Sequence, residues 1–143
     1  MQRFTVHAVA WQDAEPLLRA VREAVFIHEQ RVPEELEWDG LDEACRHVLA
    51  LNENGHPIGC ARLTPQAQIG RMAVLPEWRL QKVGTAMLEA LLQDARQHHL
   101  DTVMLHAQLQ AVPFYRRFGF TEYGEAFMDA GIPHIAMRRD VAD

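Results

Sequence analysis

The sequence predicts an α/β fold of the mixed, α+β kind, and three observations lead to that prediction. First, two short apolar runs flank the turn residues Asn54-Gly55, a pattern typical of a β-hairpin. Second, an apolar run turns directly into a long amphipathic helix and is followed by another apolar run, which favours a right-handed crossover between parallel strands. Third, the 143 residues are 48% hydrophobic and 24% charged, which suits one globular domain spanning residues 1–143.

The N-terminal part is predicted to begin with a strand and a helix. Phe4–Ala8 alternates apolar and polar side chains, as a half-buried strand does. Asp13 followed by Pro16 opens a helix with one apolar face. The acidic segment 26–41, interrupted by Pro33, is predicted to form short irregular helical turns over the sheet.

A three-stranded meander and a long helix are predicted next. The hairpin strands are His47–Leu51 and Ile58–Leu63, and the third strand is Ile69–Leu75. The helix that follows begins near Val83, carries apolar residues at helical spacing, and stops near His98-His99.

The C-terminal part is predicted to alternate strands with one short helix. The predicted elements are a strand at Thr102–Ala107, a helix at Val112–Phe118, a strand at Phe120–Ala126, a turn at 129–133 and a last strand at His134–Arg138. The strands at 69–75 and 102–107 form the crossover, so a ligand is expected beyond their carboxyl ends.

Negative charge is concentrated in one segment. Between Glu29 and Glu43 seven acidic side chains stand against Arg31, a balance of -6 that equals the formal charge of the whole chain. The rest of the chain sums to zero and has no basic stripe, which argues against nucleic acid as a partner. The acidic segment is interpreted either as a solvated face or as a rim that attracts cations.

The sequence shows no sign of a membrane span, a signal peptide or a metal site. No apolar run approaches about eighteen residues, and residues 1–7 are too polar for a signal-peptide core, so we expect a cytoplasmic protein without a membrane partner. Cys45 and Cys60 are not in a C-x-x-C pair and are expected to be small buried hydrophobes. His28-Glu29 meets Val32 where a zinc-protease motif needs histidine, so no metal is expected.

The turn at residues 79–84 has the composition of a phosphate-binding loop. From Ile69 to Ala86 the charges sum to +2, in a chain that is acidic as a whole. The first turn of a helix has unpaired N–H groups and a positive dipole end, and Gly84 has no side chain to keep an anion away. The turn is therefore predicted to bind phosphate groups, with Lys82 and Arg79 adding charge.

The order of elements, this turn and a later aromatic segment together resemble the GCN5-related N-acetyltransferase (GNAT) superfamily over nearly the whole chain. The turn reads Arg79-x-x-Lys82-x-Gly84, and the aromatic segment runs from Phe114-Tyr115 to Phe118-Gly119-Phe120. Segments 25–35, 105–108 and 129–134 are similar to the YjcF/ElaA-like branch. The resemblance implies a mostly antiparallel sheet of about six to seven strands, helices on both faces, and parallel fourth and fifth strands splayed around a cofactor.

The resemblance also implies acetyl-CoA as cosubstrate. Its diphosphate would bind the turn, its pantetheine arm would pair with the fourth strand as an added strand does, and one N–H of that strand would polarise the thioester carbonyl. Gln108 stands where many relatives have an asparagine that contacts the amide arm. The implied cofactor-binding residues are Met72, Ala73, Val74, Arg79, Leu80, Gln81, Lys82, Val83, Gly84, Thr85, Gln108, Phe114 and Tyr115.

The turn departs from the family pattern at one position. Lys82 stands where the first glycine of Gln/Arg-x-x-Gly-x-Gly/Ala is expected, whereas the register Gln81-x-x-Gly84-x-Ala86 fits the pattern literally. We prefer the register that starts at Arg79, because it places the helix leucines at the family positions and because lysine can adopt an ordinary helical backbone.

Tyr115 matches the tyrosine that gives a proton to the departing thiolate, which makes it the candidate catalytic residue. The strand segment 64–76 has no carboxylate, so the general base is left open between a water relay, His134, Glu29 and His28. Arg71 lies in an apolar strand and must be paired or point into the cleft. The residues expected near the acceptor are Phe26, His28, Glu29, Gln30, Trp38, Arg71 and His134.

The leading hypothesis is an acetyl-CoA-dependent N-acetyltransferase, in which a cationic small-molecule or peptide amine attacks the thioester directly in a ternary complex. The resemblance also makes a homodimer possible. The alternative is a noncatalytic acyl-CoA-binding or regulatory module that keeps the fold without the chemistry. A nucleotide phosphotransferase is disfavoured, because the motif G-x-x-x-x-G-K-[ST] is absent.

Overall fold

The computed structural model describes residues 2–142, which form seven strands and four α-helices. The strands are β1 (Phe4–Val9), β2 (Arg46–Asn52), β3 (Pro57–Leu63), β4 (Gln68–Val74), β5 (Thr102–Gln108), β6 (Thr121–Asp129) and β7 (Ile132–Asp140). The helices are α1 (Trp11–Arg22), α2 (Glu34–Glu37), α3 (Val83–Gln97) and α4 (Val112–Arg117). A π-helix (Glu23–Glu29) extends α1, and short 3-10 helices lie at Asp42–Ala44, Pro76–Trp78 and Leu109–Ala111.

All seven strands belong to one sheet, in the order β1-β2-β3-β4-β5-β7-β6. Within the described chain, β4 and β5 are the one parallel pair of neighbours, and every other pair is antiparallel. The mixed, mostly antiparallel α/β fold predicted from the sequence is therefore confirmed, including the parallel crossover through α3.

Helices cover both faces of the sheet. Because the side chains of a strand alternate between its two sides, one strand contributes apolar residues to the core on each face. Val48 and Ala50 of β2 join a core cluster with α3, whereas Leu49 between them joins a second cluster with α1. Both cysteines are buried and unbonded, as predicted from their spacing. No helix of residues 2–142 is long and apolar enough to span a bilayer.

Two predicted boundaries are wrong for reasons that the structure shows. The helix α1 begins at Trp11, before Asp13, and a π-helix continues it through Glu29. The short irregular helical turns predicted over residues 26–41 are confirmed, since the end of this π-helix and the four-residue α2 lie there. The predicted turn at 129–133 is a two-residue hairpin turn of Ala130 and Gly131, both with positive φ, which lets β6 and β7 pair as far as Asp129 and Ile132.

Candidate functional site

A cleft opens in the middle of the sheet, where β4 separates from β5. The two strands are paired only at Gln68–Met104 and Ile69–Leu105. Beyond Ile69, the register of β4 against β3 shifts between Cys60 and Arg62, which marks a β-bulge, and Arg71 has a φ of 51° there. The bulge bends β4 away from β5, as predicted for a cofactor cleft.

The open edge of β4 presents main-chain donors to this cleft. The N–H of Leu75 donates to the carbonyl of Ile58 in β3 at 2.9 Å. Because successive peptide groups of a strand point to opposite sides, the N–H group of Val74 faces the gap. That the N–H group of Met72, beside the bulge, also faces the gap stays a prediction of the family resemblance. The carbonyl of Val74 also faces away from β3, since it accepts a bond from Arg79 Nε at 3.0 Å. These are the groups expected to pair with a pantetheine arm.

The turn before α3 leaves a cluster of free backbone donors. The first bond of α3 runs from the Ala86 N–H to the Lys82 carbonyl, and the N–H groups of residues 80–85 have no acceptor among residues 2–142. Leu80 and Lys82 are left-handed, with φ of 63° and 66°. The expectation of an ordinary helical backbone at Lys82 is therefore wrong, because this position adopts the conformation that glycine accommodates without strain.

Gly84 brings the start of α3 close to α4. A Cβ built on Gly84 would lie 3.6 Å from Phe114 Cζ, an ordinary van der Waals contact. Phe114 in turn packs edge-on against Tyr115, with ring centroids 5.1 Å apart. The turn and the aromatic segment, which are thirty residues apart in the chain, are thus brought together at one end of the cleft.

Arg79 is engaged by an acidic side chain in this structure. Its Nη1 and Nη2 donate to the two carboxylate oxygens of Glu29, at 2.8 and 2.6 Å. The hydrogen bond from Arg79 lowers the pKa of Glu29, so the carboxylate stays ionised and is a weak base. The roles of Arg79 at a diphosphate and of Glu29 near the acceptor stay predictions, and the ion pair must open for Arg79 to reach a phosphate with both nitrogens.

Tyr115 is held at the cleft by neighbouring aromatic rings. Its ring packs edge-on against Phe114 and Phe120, and its hydroxyl donates to Met72 Sδ at 3.8 Å. Burial raises the pKa of Tyr115 to about 12, so the phenol keeps its proton at neutral pH. A protonated hydroxyl that already points at a sulfur atom is suited to donate toward a departing thiolate.

A cavity of about 280 Å³ adjoins Tyr115 and the bulge of β4. Its walls come from the π-helix, α2, β4, β5, α4 and the β6–β7 hairpin. Of the predicted residues, those lining it are Phe26, Gln30, Arg71, Met72, Gln108, Tyr115 and His134. Residues expected to bind the cofactor and residues expected near the acceptor therefore line one cavity.

The amide side chains at the end of β5 form a short chain of hydrogen bonds. Gln108 Nε2 donates to Gln30 Oε1 at 3.0 Å, and Gln110 Nε2 donates to Gln108 Oε1 at 2.6 Å. The bond to Gln30 ties β5 to the segment that follows the π-helix. Gln108 thus stands in the cavity wall with its amide orientation fixed.

Arg71 belongs to a closed ring of six charges, four of them buried, which we call the charge ring. Arg71 Nη2 donates to Asp39 at 3.2 Å, and its Nε lies 3.2 Å from a Glu37 oxygen. Three guanidinium groups and three carboxylates alternate around the ring, so its formal charge is zero. Its members are Arg22, Glu37, Arg71, Asp39, Arg62 and Asp42. Arg71 is both paired and on the cavity wall, as the sequence required.

The charge ring changes the interpretation of the acidic segment. Glu37, Asp39 and Asp42 are bound to arginines of the ring, and Glu29 is bound to Arg79. Four of the seven acidic side chains counted between Glu29 and Glu43 are therefore internally paired. Ion pairs thus hold residues 29–43, which we call the strap, against α1, β3, β4 and Arg79. Neither of the two sequence interpretations described such pairing.

Three residues expected near the acceptor, namely Glu29, Trp38 and His28, lie outside the cavity wall. Trp38 packs under guanidinium groups, with Arg19 at 4.4 Å and Arg22 at 4.8 Å from its ring centroid. His28 lies in the π-helix and is absent from the cavity lining. His134 lines the cavity, and its Nδ1 lies 2.7 Å from the Ile132 carbonyl.

Sequence reasoning missed His106 and Glu37, which also line the cavity. The alternation of β5 contained the signal for His106, because this residue shares a strand face with Gln108 two positions later. No comparable local signal exists for Glu37, whose position depends on bonds to α1 and β4. Among residues 2–142 no cluster of His, Cys, Asp and Glu has the geometry to hold a metal ion.

Comparison with known proteins gives a consistent result. The family model for the acetyltransferase (GNAT) domain matches residues 10–141. The N-acetyltransferase YjcF of Bacillus subtilis is 38% identical over 124 residues, which cover 84% of this chain and 88% of YjcF. The crystal structure of Escherichia coli ElaA superposes with a TM-score of 0.85 at 30% identity, covering 94% of this chain and 99% of ElaA.

The same fold occurs in BjaI, a CoA-dependent acyl-homoserine lactone synthase solved with SAM and isopentyl-CoA. The TM-score is 0.80 at 17% identity, and the match covers 97% of this chain and 84% of BjaI. At that identity the likeness concerns the fold.

Proposed function

The chain belongs to the GNAT acetyltransferase family, and from this premise we propose that it transfers the acetyl group of acetyl-CoA to a primary amine by direct attack in a ternary complex. As an acetyltransferase of this family it acts on an amine acceptor. The identity of the acyl donor, the order of events and the roles of individual residues are our proposal.

One observation supports the proposal most of all: the free N–H groups of residues 80–85 stand at the start of a helix whose Gly84 lies against Phe114, the ring that packs on Tyr115. Several convergent N–H donors at a helix start are what a diphosphate requires. A donor strand edge at Met72 and Val74 suits the amide groups of a pantetheine arm, and an N–H there is suited to polarise the thioester carbonyl.

Tyr115 supplies the proton for the departing sulfur in this proposal. Its hydroxyl already donates to a thioether sulfur, and burial keeps it protonated. The carbonyl carbon must therefore lie between the β4 edge and the cavity, with its sulfur toward Tyr115.

The acceptor is proposed to be a small-molecule or peptide amine that carries positive charge. Asp129 at the cavity and the glutamates at 34, 35 and 43, outside the charge ring, support a preference for cations. This support is weaker than the sequence suggested, because four acidic residues of the strap are paired with arginines.

A thiol-release assay with acetyl-CoA and a panel of polyamines, amino sugars, aminoglycosides and peptides tests the proposal. We expect release above the rate without amine for at least one acceptor class. Binding of acetyl-CoA without release across the whole panel would favour the noncatalytic acyl-CoA-binding module instead.

Tyr115→Phe tests the proton donor, and Tyr123→Phe is its matched control. Both substitutions remove one hydroxyl, but Tyr123 lies on β6 with Arg138 over its ring, outside the cavity lining. We expect Tyr115→Phe to lower kcat by about 10²-fold or more with little change in acetyl-CoA affinity. Equal kcat in the two variants would remove Tyr115 from the mechanism.

We also propose a cytoplasmic location and leave a homodimer as a prediction of the family resemblance. Burial raises the pKa of both thiols, Cys60 to about 12, so neither is poised to form a disulfide. Two unbonded buried cysteines are compatible with a reducing compartment.

A further inference from the structure

His134 stands out among the titratable side chains of the cavity, because a backbone carbonyl binds one of its ring nitrogens and leaves the other as the basic one. Its Nδ1 lies 2.7 Å from the carbonyl oxygen of Ile132, and a carbonyl oxygen only accepts hydrogen bonds. In the neutral imidazole the proton is therefore on Nδ1, and Nε2 carries the lone pair. Nε2 has no hydrogen-bond partner among residues 2–142.

The surrounding groups hold this ring on the cavity wall. His134 is 9% exposed and pairs with Gln108 of β5 and with Phe127 of β6 across the sheet. The Phe127 ring stacks on the imidazole at 5.9 Å with an interplanar angle of 22°. The orientation of the imidazole is thus fixed by packing and by one hydrogen bond, which is what a positioned base needs.

The charged and titratable groups that share the cavity with His134 come from five elements. His106 of β5 and Asp129 of β6 lie near it, and the cavity is also lined by Glu37 of α2, Arg71 of β4 and Tyr115 of α4. His106 packs edge-on against the Phe127 ring, with centroids 4.9 Å apart, and burial lowers the pKa of His106. Gln68 Nε2, 3.5 Å from His106 Nδ1, favours the opposite tautomer there.

The other candidate bases are committed elsewhere. Both oxygens of Glu29 accept bonds from Arg79. One carboxylate oxygen of Glu37 lies 2.8 Å from Arg22 Nε and 3.2 Å from Arg71 Nε, so this carboxylate is held by two guanidinium groups. His28 does not line the cavity.

We propose that Nε2 of His134 takes the proton from the acceptor amine as the amine attacks the thioester. This inference rests on the proposed acetyl transfer and adds to it the identity of the base. Histidine suits the role because it exchanges protons near neutral pH.

The bonds and protons of the proposed step balance among the amine, the thioester, His134 and Tyr115. The amine nitrogen forms a bond to the carbonyl carbon while its proton passes to His134 Nε2. The carbon–sulfur bond breaks, its electron pair goes to sulfur, and the sulfur takes the hydroxyl proton of Tyr115. Solvent then removes the proton from His134 and returns one to Tyr115.

His134→Asn separates this role from a purely structural one. The asparagine amide can replace Nδ1–H toward the Ile132 carbonyl, but it offers no basic nitrogen. With the best amine of the panel, we expect kcat/KM at pH 7 to fall about 10²-fold or more while Tm stays close to that of the parent protein. We also expect the rate of the variant to keep rising with pH, as free amine accumulates.

His106→Asn is the matched control. It removes the neighbouring imidazole, and the acidic limb of the kcat/KM pH profile should survive in this variant and disappear in His134→Asn. The proposal is overturned if His134→Asn retains more than about a third of the parent kcat/KM at a similar Tm. Loss of the acidic limb in His106→Asn instead would equally overturn it.

A second measurement is independent of turnover. The ring ¹⁵N chemical shifts of the labelled protein should show the neutral His134 protonated at Nδ1 and bare at Nε2. The opposite tautomer would overturn the proposal whatever the acceptor. If no amine in the panel is acetylated, the proposed function fails. The ¹⁵N chemical shifts would still show whether Nε2 of His134 is the basic nitrogen.

Discussion

The substitution Arg22→Ala tests the charge ring at its most buried member. Arg22 is 1% exposed, and it donates to Glu37 at 2.8 Å and to Asp42 at 2.6 Å. Removing the guanidinium leaves two guanidinium groups against three carboxylates, so one buried negative charge loses its counter-ion. Glu37 then depends on Arg71 alone, and Asp42 on Arg62.

The size of the effect follows from the cost of a buried charge without a partner. Breaking such a pair typically costs ~3–5 kcal/mol, a large share of the ~5–15 kcal/mol that stabilises a domain. At about 2–4 °C per kcal/mol for a domain near this size, Tm should fall by roughly 6–20 °C. The matched control Arg19→Ala removes a half-exposed arginine of the same helix, paired with Glu15, and should cost about 1 kcal/mol.

The assay is thermal and urea unfolding of the parent protein, Arg22→Ala and Arg19→Ala at pH 5 and pH 8. Burial raises the pKa of Glu37 even though Arg71 and Arg22 oppose the shift. A group with a raised folded pKa stabilises the fold at low pH and loses that effect as pH rises through the folded pKa. The deficit of Arg22→Ala should therefore be smaller at pH 5 than at pH 8. A loss below about 1 kcal/mol, or equal losses for Arg22 and Arg19, would refute the reasoning.

Three smaller perturbations test other contacts. Glu29→Gln releases Arg79 and should tighten acetyl-CoA binding about two- to fivefold by calorimetric titration, the range expected from an exposed ion pair; weaker binding would contradict this. Lys82→Gly removes a left-handed lysine and should raise the free energy of unfolding in urea by ~1 kcal/mol, whereas a decrease would show that the conformation is not strained. Burial opposes ionisation of Asp39, but the hydrogen bond from Arg62 lowers the pKa of Asp39 to about 2. The contribution of the ionised Asp39 to stability should therefore be lost as the pH falls from about 4 to about 2. Asp39→Asn should flatten acid unfolding in that window, as followed by circular dichroism, and an unchanged profile would argue against the pair.

The parts of the fold that local patterns determine were predictable. The hairpin at Asn54-Gly55 follows from turn residues between two alternating runs, and β3 and β2 pair around it as predicted. The crossover from β4 through α3 to β5 follows from two changes of hydrophobic period, from strand to helix and back to strand. In each case the signal lies in one continuous stretch of the chain, so no contact with a distant segment is needed to predict the elements.

The conformation of single residues in the site was harder to predict. Lys82 was expected to be helical, but the start of α3 imposes a left-handed backbone that its side chain does not favour. The bulge at Arg71 is likewise a property of how β4 pairs with β3. Such positions depend on the geometry of neighbouring elements, and residue propensity alone does not determine them.

Pairings between distant charges were beyond local reasoning. The sequence showed an acidic segment and an arginine in an apolar strand, but not that Glu37 and Asp39 would bind Arg71. These partners are more than thirty residues apart in the chain, and each carboxylate had several arginines available. Only the folded arrangement selects among them.

The most direct test of the central claim is an NMR titration that resolves backbone amides, with acetyl-CoA as one ligand and acetylpantetheine, which lacks the diphosphate, as the other. We predict that acetyl-CoA shifts the amide signals of residues 80–85 together with those of Met72 and Val74. Acetylpantetheine should shift only the two β4 amides. Amides of residues 80–85 that stay unmoved at saturating acetyl-CoA would contradict the claim that this turn holds the diphosphate.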